Sequence, residues 1–439
     1  MHPRPIVATL LAAVVALSAC SPAAPSTKPT AAPKAESADT GPTAVPTQAV
    51  AKPTTRLVEN GRIASPSPTV HTFLWGNPET TERDLTLAKD AGFTWVKQRF
   101  EWRYIEKTEA DTFEWQEPDR VIDAINKNGL GIVARIDNQP EWARVDSIFP
   151  ASGPPDKNQD FTDFLKKFTQ RYKGKVQAYE IWNEPNLSRE WGNAAPSAQA
   201  YTELLRVSYE TIKKNDPEAI VISAGLSPTS EQTDRARADV TFLREMYQAG
   251  AQQHFDMLGV HAPGFKAAPE TDPAQIARDP ALNNNDPSTE EARRVYGFRH
   301  VEDMRAVMQE FNDGNKQISL MEMGWTSDPR PDSPYRWHAV SEEEKGEYLA
   351  RAFKYAAQNW SPWIGHMTVI YLPDPGWTPD MEQTHWGITN PDGTARPAYD
   401  ALKATLGAIV SGATGGPAPG ASPAVGASPV PSPSPSPSP

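Results

Sequence analysis

Residues 176–186 read Val-Gln-Ala-Tyr-Glu-Ile-Trp-Asn-Glu-Pro-Asn, a short apolar run followed at once by Trp182-Asn183-Glu184-Pro185-Asn186. The run is too short for a helix and ends in turn-forming residues, so it predicts a strand with a carboxylate just past its tip. The pattern returns at 318–325, Ile-Ser-Leu-Met-Glu-Met-Gly-Trp, where Glu322 closes another apolar run.

Outward from these two, further runs rich in Val and Ile fall at 70–75, 94–98, 131–136, 220–223, 257–261 and 366–372. Counting 176–181 and 318–322, there are eight. Helical patterns lie between them at 81–91, 118–128, 161–172, 198–215, 236–249, 301–312 and 342–359, with a last one at 398–406. Phe161, Phe164, Leu165 and Phe168 show the helical i, i+3, i+4 spacing. Asn128-Gly129 and Asn215-Asp216-Pro217 punctuate two helix ends. Strict alternation argues for an all-parallel sheet, and eight strands close one into a barrel. A doubly wound open sheet is the rival, but no Gly-rich phosphate loop follows any run. The expected fold is α/β, a single (β/α)8 TIM barrel over 61–410 with its active site at the C-terminal strand ends.

The flanks have a different character. Of 44 prolines, 18 fall within 21–68 and 412–439, stretches with few large apolar side chains. They cannot bury enough surface to offset their ordering entropy. Residues 21–60 are read as a Pro/Ala/Thr-rich linker and 411–439 as a low-complexity tail. The first twenty residues have a basic start at Arg4, an apolar stretch over 6–17 and a small residue at Ala19, as in an export signal. Leu17-Ser18-Ala19-Cys20 holds the only cysteine and resembles the bacterial lipobox. That resemblance implies a signal peptide over 1–20, lipidation of Cys20 and an extracytoplasmic protein, either membrane-anchored or secreted. A net charge of −12 without a basic stripe argues against a nucleic-acid partner. The eight histidines lack close pairing, so neither metal nor other cofactor is expected. A monomer is expected.

Strands four and seven lie on opposing parts of an eight-stranded ring, so Glu184 and Glu322 can face one another. Cleaving a glycosidic bond needs a proton for the leaving oxygen and negative charge beside the developing oxocarbenium ion. One carboxyl must stay protonated while the other stays ionised. A carboxylate in the apolar stretch 318–323 is costly to bury without a task. Glu180, in line with the strand, reads as a buried structural group.

Trp182-Asn183-Glu184-Pro185 after strand four, with Glu322 ending strand seven, resembles the clan A glycoside hydrolases, which include the cellulase-like family 5 and the xylosidase-like family 39. The resemblance spans roughly 60–410. It implies Glu184 as acid/base, Glu322 as nucleophile, Asn183 on the sugar 2-hydroxyl, and a retaining double displacement on a β-linked oligo- or polysaccharide. Lys97, five residues before Trp102, stands where family members often carry an arginine that orients the nucleophile. Asn138, before Pro140-Glu141-Trp142, also follows the clan pattern. His261 is followed by Ala262-Pro263 instead of the usual His-x-Tyr, so the strand-six tyrosine is missing, with Tyr296 and Tyr371 as candidate replacements. His261 itself reads equally as a sugar contact or a core histidine.

Thirteen tryptophans are many for this length, and Trp142, Trp191, Trp325, Trp337, Trp377 and Trp386 fall in predicted rim loops. Sugar rings stack on flat aromatics. Together with the residues the resemblance implies, the expected substrate-binding residues are Asn183, Lys97, Asn138, Trp142, His261, Trp325, Tyr371 and Trp377. The competing function is a non-catalytic carbohydrate-binding surface lipoprotein on the same scaffold. Transglycosylation would use the same residues as hydrolysis.

Overall fold

The computed structural model describes residues 57–411 apart from 60, 146–148 and 150. The expected leader with Cys20, most of the linker and all but the first residue of the tail lie outside the described residues. The eight expected strands are present: β1 Ser67–Thr72, β2 Trp95–Glu101, β3 Gly131–Asp137, β4 Ala178–Ile181, β5 Ile220–Ser223, β6 Met257–Pro263, β7 Gln317–Gly324 and β8 Ile364–Val369. They pair in parallel, each with the next, and β8 returns to β1 to close the barrel. Large helices follow each strand in turn, from Thr81–Asp90 to Pro397–Val410. The helix Glu342–Asn359 begins with a capping box in which Ser341 and Glu344 satisfy each other's backbone N–H groups.

Most strand boundaries shift by one to three residues from the sequence reading, and at β1 and β8 the expected apolar run outlasts the strand. β1 starts three residues earlier than expected and ends at Thr72. Phe73, Leu74 and Trp75 extend the apolar run but leave the sheet. Phe73 packs edge-on against Trp377 at 4.7 Å, and Trp75 packs against Phe100. β8 likewise ends at Val369, before Tyr371 and Leu372. Past the strand tips the apolar residues pack among loops, with single backbone hydrogen bonds back to the sheet, from Ile370 N to the Met323 carbonyl at 3.1 Å and from Leu372 N to the His71 carbonyl at 3.0 Å.

The main core fills the space between barrel and helices, with Phe161, Phe164, Leu165 and Phe168 inside it. A second cluster fills the lower barrel interior: Trp95, Val133, Ala178, Ile220, Ile222, Met257 and Met321. Higher in the barrel, the inward positions turn ionisable. Along β2 the alternation runs Trp95, Lys97, Arg99; along β3, Val133, Arg135, Asp137; along β4, Ala178, Glu180. Successive side chains on one strand point to opposite faces, so apolar floor and charged upper layer come from one period-two pattern. Such charges are tolerable only when paired, and Lys97 pairs with Glu180 at 2.8 Å while Arg135 pairs with Asp137 at 2.9 Å.

The register between β6 and β7 shifts at Val260/His261, bringing His261 opposite Glu322. The bulge leaves Met321 as the extra residue, and its carbonyl accepts a hydrogen bond from Lys97 Nζ at 3.0 Å. A bulge re-aims the next side chain, here Glu322.

Candidate active site

The loop after β4 holds Glu184 in an unusual backbone. Trp182 has φ +72° and Glu184 φ +38°, a region that bulky side chains seldom adopt and that costs about 1–3 kcal/mol per residue. Surrounding contacts impose it. Trp182 N donates to the Ile136 carbonyl at 3.0 Å, its indole Nε1 donates to the Glu190 carbonyl at 2.9 Å, and Glu184 N donates to the Gly225 carbonyl at 3.1 Å. Asn186 ties the loop down further, donating to Ser227 O and Arg237 O and accepting from Ser227 N.

His261 connects the two glutamates. Its Nδ1 lies 3.1 Å from Glu184 Oε1 and 3.8 Å from Glu322 Oε2, so these two oxygens are at most 6.9 Å apart, the sum of the two distances. With its proton on Nδ1 the ring donates to Glu184; Nε2 is buried without a partner. A Cβ at position 225 would lie 2.2 Å from the His261 ring, so only glycine fits there. Gly225→Ala is therefore expected to displace His261, costing about 1–3 kcal/mol by overpacking. Turnover should fall with it, checked by thermal melting and steady-state kinetics.

Glu322 meets positive charge on its other oxygen. Arg135 Nη1 stands 3.3 Å from Oε1, and Lys97 Nζ is farther away at 3.9 Å. Arg135 Nη1 also donates to Asn183 Oδ1 at 3.0 Å. One guanidinium thus joins the nucleophile candidate, the residue beside the acid/base candidate and, through Asp137, the Arg99 guanidinium at 2.9 Å. Burial would raise the Asp137 carboxyl, but Arg99 and Arg135 outweigh it and hold it below its ordinary value.

Glu184 shows a second ion pair. Its Oε2 accepts from Arg189 Nη2, on the short turn Ser188–Glu190. Burial would raise the Glu184 carboxyl, but the Arg189 guanidinium and the His261 imidazole together hold it below the ordinary carboxylate value. The neighbouring Glu190 goes the other way, pushed up to about 7 by burial and by the Glu184 carboxylate. Glu184 is 1% exposed and Glu322 5%.

Several expected contacts are corrected by these positions. Lys97 is fully buried beneath the site on Glu180 and cannot touch a sugar; Arg135, one strand along, makes the closer approach to Glu322. Trp325 offers no stacking face, because it is fully buried between Phe298 and Tyr348 with its indole nitrogen on the Ala267 carbonyl at 2.9 Å. Trp142 is half-buried, packed edge-on against Trp102 and donating to the Glu106 carbonyl, which makes it a loop anchor. His261 is a partner of both carboxylates and has no exposed surface for a sugar. Tyr296 is committed to Asp286 at 2.6 Å, so it does not replace the missing tyrosine. Tyr371 has no hydrogen bond to Glu322 among the described residues; burial and the Glu322 carboxylate push its phenol up. It packs with His71, Phe73 and Trp377 on the β1–β8 side of the rim. Asn138, at φ +57°, gives its amide nitrogen to Glu101 at 2.7 Å and keeps a buried amide oxygen without a partner.

Arg135, Arg189 and Glu190 are absent from the sequence-based list. The signal for Arg135 is its inward place in the alternation of β3. Arg189 and Glu190 carry no comparable signal, since a turn sequence does not reveal where its side chains reach.

No curated protein sequence matches the chain. Among solved structures, the fold is similar to a family 39 glycoside hydrolase from Bacteroides cellulosilyticus WH2, with TM-score 0.56 and 20% identity over 78% of this chain and 64% of that one. It is also similar to a family 39 enzyme from Xanthomonas axonopodis pv. citri, with TM-score 0.53 and 18% identity over 77% and 65% of the two chains. Xylanase 10B from Thermotoga maritima gives TM-score 0.50 and 14% identity over 80% and 96%. The chain thus spans just under two thirds of the length of the two family 39 structures, and at these identities the likeness speaks for the fold. The sequence itself is matched over residues 58–367 by the family model for cellulase. The chain belongs to the cellulase family, glycosyl hydrolase family 5.

Proposed function

We propose that this protein hydrolyses β-linked oligo- or polysaccharides with retention of anomeric configuration, using Glu184 as acid/base and Glu322 as nucleophile. The observation that carries the reading is the single imidazole nitrogen reaching both carboxylates, which caps the separation of two of their oxygens at 6.9 Å. Retaining pairs stand about 5–5.5 Å apart, and inverting pairs about 6.5–9.5 Å apart to leave room for water. Family membership supports glycosidic bond cleavage in general; a ceiling of 6.9 Å leaves out most of the inverting range and so favours direct attack.

In the first step Glu184 gives its proton to the glycosidic oxygen while a Glu322 oxygen attacks the anomeric carbon, forming a glycosyl ester. In the second, Glu184 takes a proton from water, which attacks the anomeric carbon on the face the leaving group vacated and releases the Glu322 carboxylate. Arg135 holds Glu322 and Asn183 in fixed relation, leaving the Asn183 amide nitrogen for the sugar 2-hydroxyl. Proton NMR during early turnover of an oligosaccharide substrate tests this directly. The first-formed product should be the β-anomer; an α-anomer would replace retention by inversion, and sugar binding without turnover would favour a binding protein.

A further inference from the structure

We propose that Arg189 is a shared, movable counter-ion: it rests on Glu184 and shifts to Glu190 when substrate binds, which frees Glu184 to act as proton donor. The proposal rests on Glu184 being the acid/base.

Both oxygens of Glu184 are taken, Oε1 by His261 and Oε2 by Arg189, and the residue is almost wholly buried. These two donors hold Glu184 as the anion, so it becomes a ready proton donor only when one of them leaves. His261 is fixed, with no exposed surface and its ring against Gly225. Arg189 is the partner on the solvent side, with its side chain 26% exposed. Its destination is already beside it. Arg189 Nε is a buried donor without a hydrogen-bond partner, 3.8 Å from Glu190 Oε1. A movement of about 1 Å would bring that pair to hydrogen-bonding distance. The backbone need not move, because the Glu190 carbonyl is held by the Trp182 indole.

The charged surroundings suit the exchange. Glu184 is faced by Arg189, His261, Ser227 and Glu190; Glu190 is faced by Glu184, Arg189, Arg99 of β2 and Arg135 of β3. At rest Glu184 is the carboxylate, and Glu190, pushed up to about 7, carries a proton below neutral pH. After the shift Glu190 is the carboxylate and Glu184 the acid. One proton leaves Glu190 and one arrives at Glu184, the net charge of the three groups is unchanged, and no co-reactant is needed. For the second chemical step Glu184 is again an anion, the state to which Arg189 returns. Arg189 and Glu190 are thus positioning residues that act through Glu184.

The test is a pH titration of the full chain labelled with [δ-13C]glutamate, with the two signals assigned by their loss in Glu184→Gln and Glu190→Gln. Arg189→Gln should raise the Glu184 midpoint by about one to three pH units. With 4-nitrophenyl β-glucoside and β-xyloside as probes, the alkaline limb of kcat/KM should move up in Arg189→Gln and down in Glu190→Gln. Arg189→Lys and Glu190→Asp, which keep the charges, should stay near wild type and serve as the folded variants if the neutral ones do not fold. A Glu184 midpoint unmoved in Arg189→Gln would overturn the proposal, as would limbs moving the same way in both neutral variants, or charge-keeping variants that shift as far as the neutral ones. Failure of the acid/base reading is separable: azide would then not rescue Glu184→Ala, whatever the titration shows.

Discussion

Glu322→Gln is expected to lower turnover of an aryl β-glycoside by about 10³-fold or more while leaving sugar binding intact, because the amide lacks the anionic oxygen that forms the glycosyl ester. The shape of the side chain is kept, and the surrounding charges remain paired. Arg135 retains Asp137 at 2.9 Å and Asn183 at 3.0 Å, and Lys97 retains Glu180 at 2.8 Å. The loss should therefore fall on kcat rather than on folding. Steady-state kinetics beside calorimetric titration with a competing sugar separates the two. Activity within tenfold of wild type would remove Glu322 from the nucleophile role.

The second large effect belongs to Glu184→Ala. General acid/base assistance contributes about 10²–10⁴-fold, so hydrolysis of sugars with poor leaving groups should fall by that much. Dinitrophenyl glycosides need little protonation and should suffer less in the first step, with the sugar ester accumulating because no base activates water. Azide needs no such base. It should enter the space vacated between His261 and Arg189, restore turnover and yield the β-glycosyl azide. Equal loss for every leaving group with no azide response would contradict the assignment.

The parts of this account legible in the sequence are those fixed by local chemistry. Eight short apolar runs with helices between them leave few alternatives to a closed parallel barrel, and the two glutamates stand out because Glu322 closes a run that should otherwise be apolar and Glu184 stands just past the tip of another. Relations around the ring are not legible in that way. Lys97 and Arg135 are both cations on inward positions of neighbouring strands, and only the closed barrel shows that the first meets Glu180 and the second Glu322. The Trp325 expectation fails for a related reason. Three residues beyond Glu322 the chain has left β7, and the indole turns into the space that Gly264 leaves open, where a Cβ would stand 1.8 Å from its ring. Proximity along the chain says little once a strand has ended. Arg189 is the opposite case, five residues beyond Glu184 on an irregular turn and yet on its carboxylate.

The most direct measurement is mass spectrometry of the protein inactivated with an activated 2-deoxy-2-fluoro β-glycoside, which slows breakdown of the sugar ester more than its formation. The account predicts one fluorosugar per chain on the peptide containing Glu322, released with reactivation when a sugar acceptor is added. A label on any other residue, or full turnover with no label at all, would contradict it.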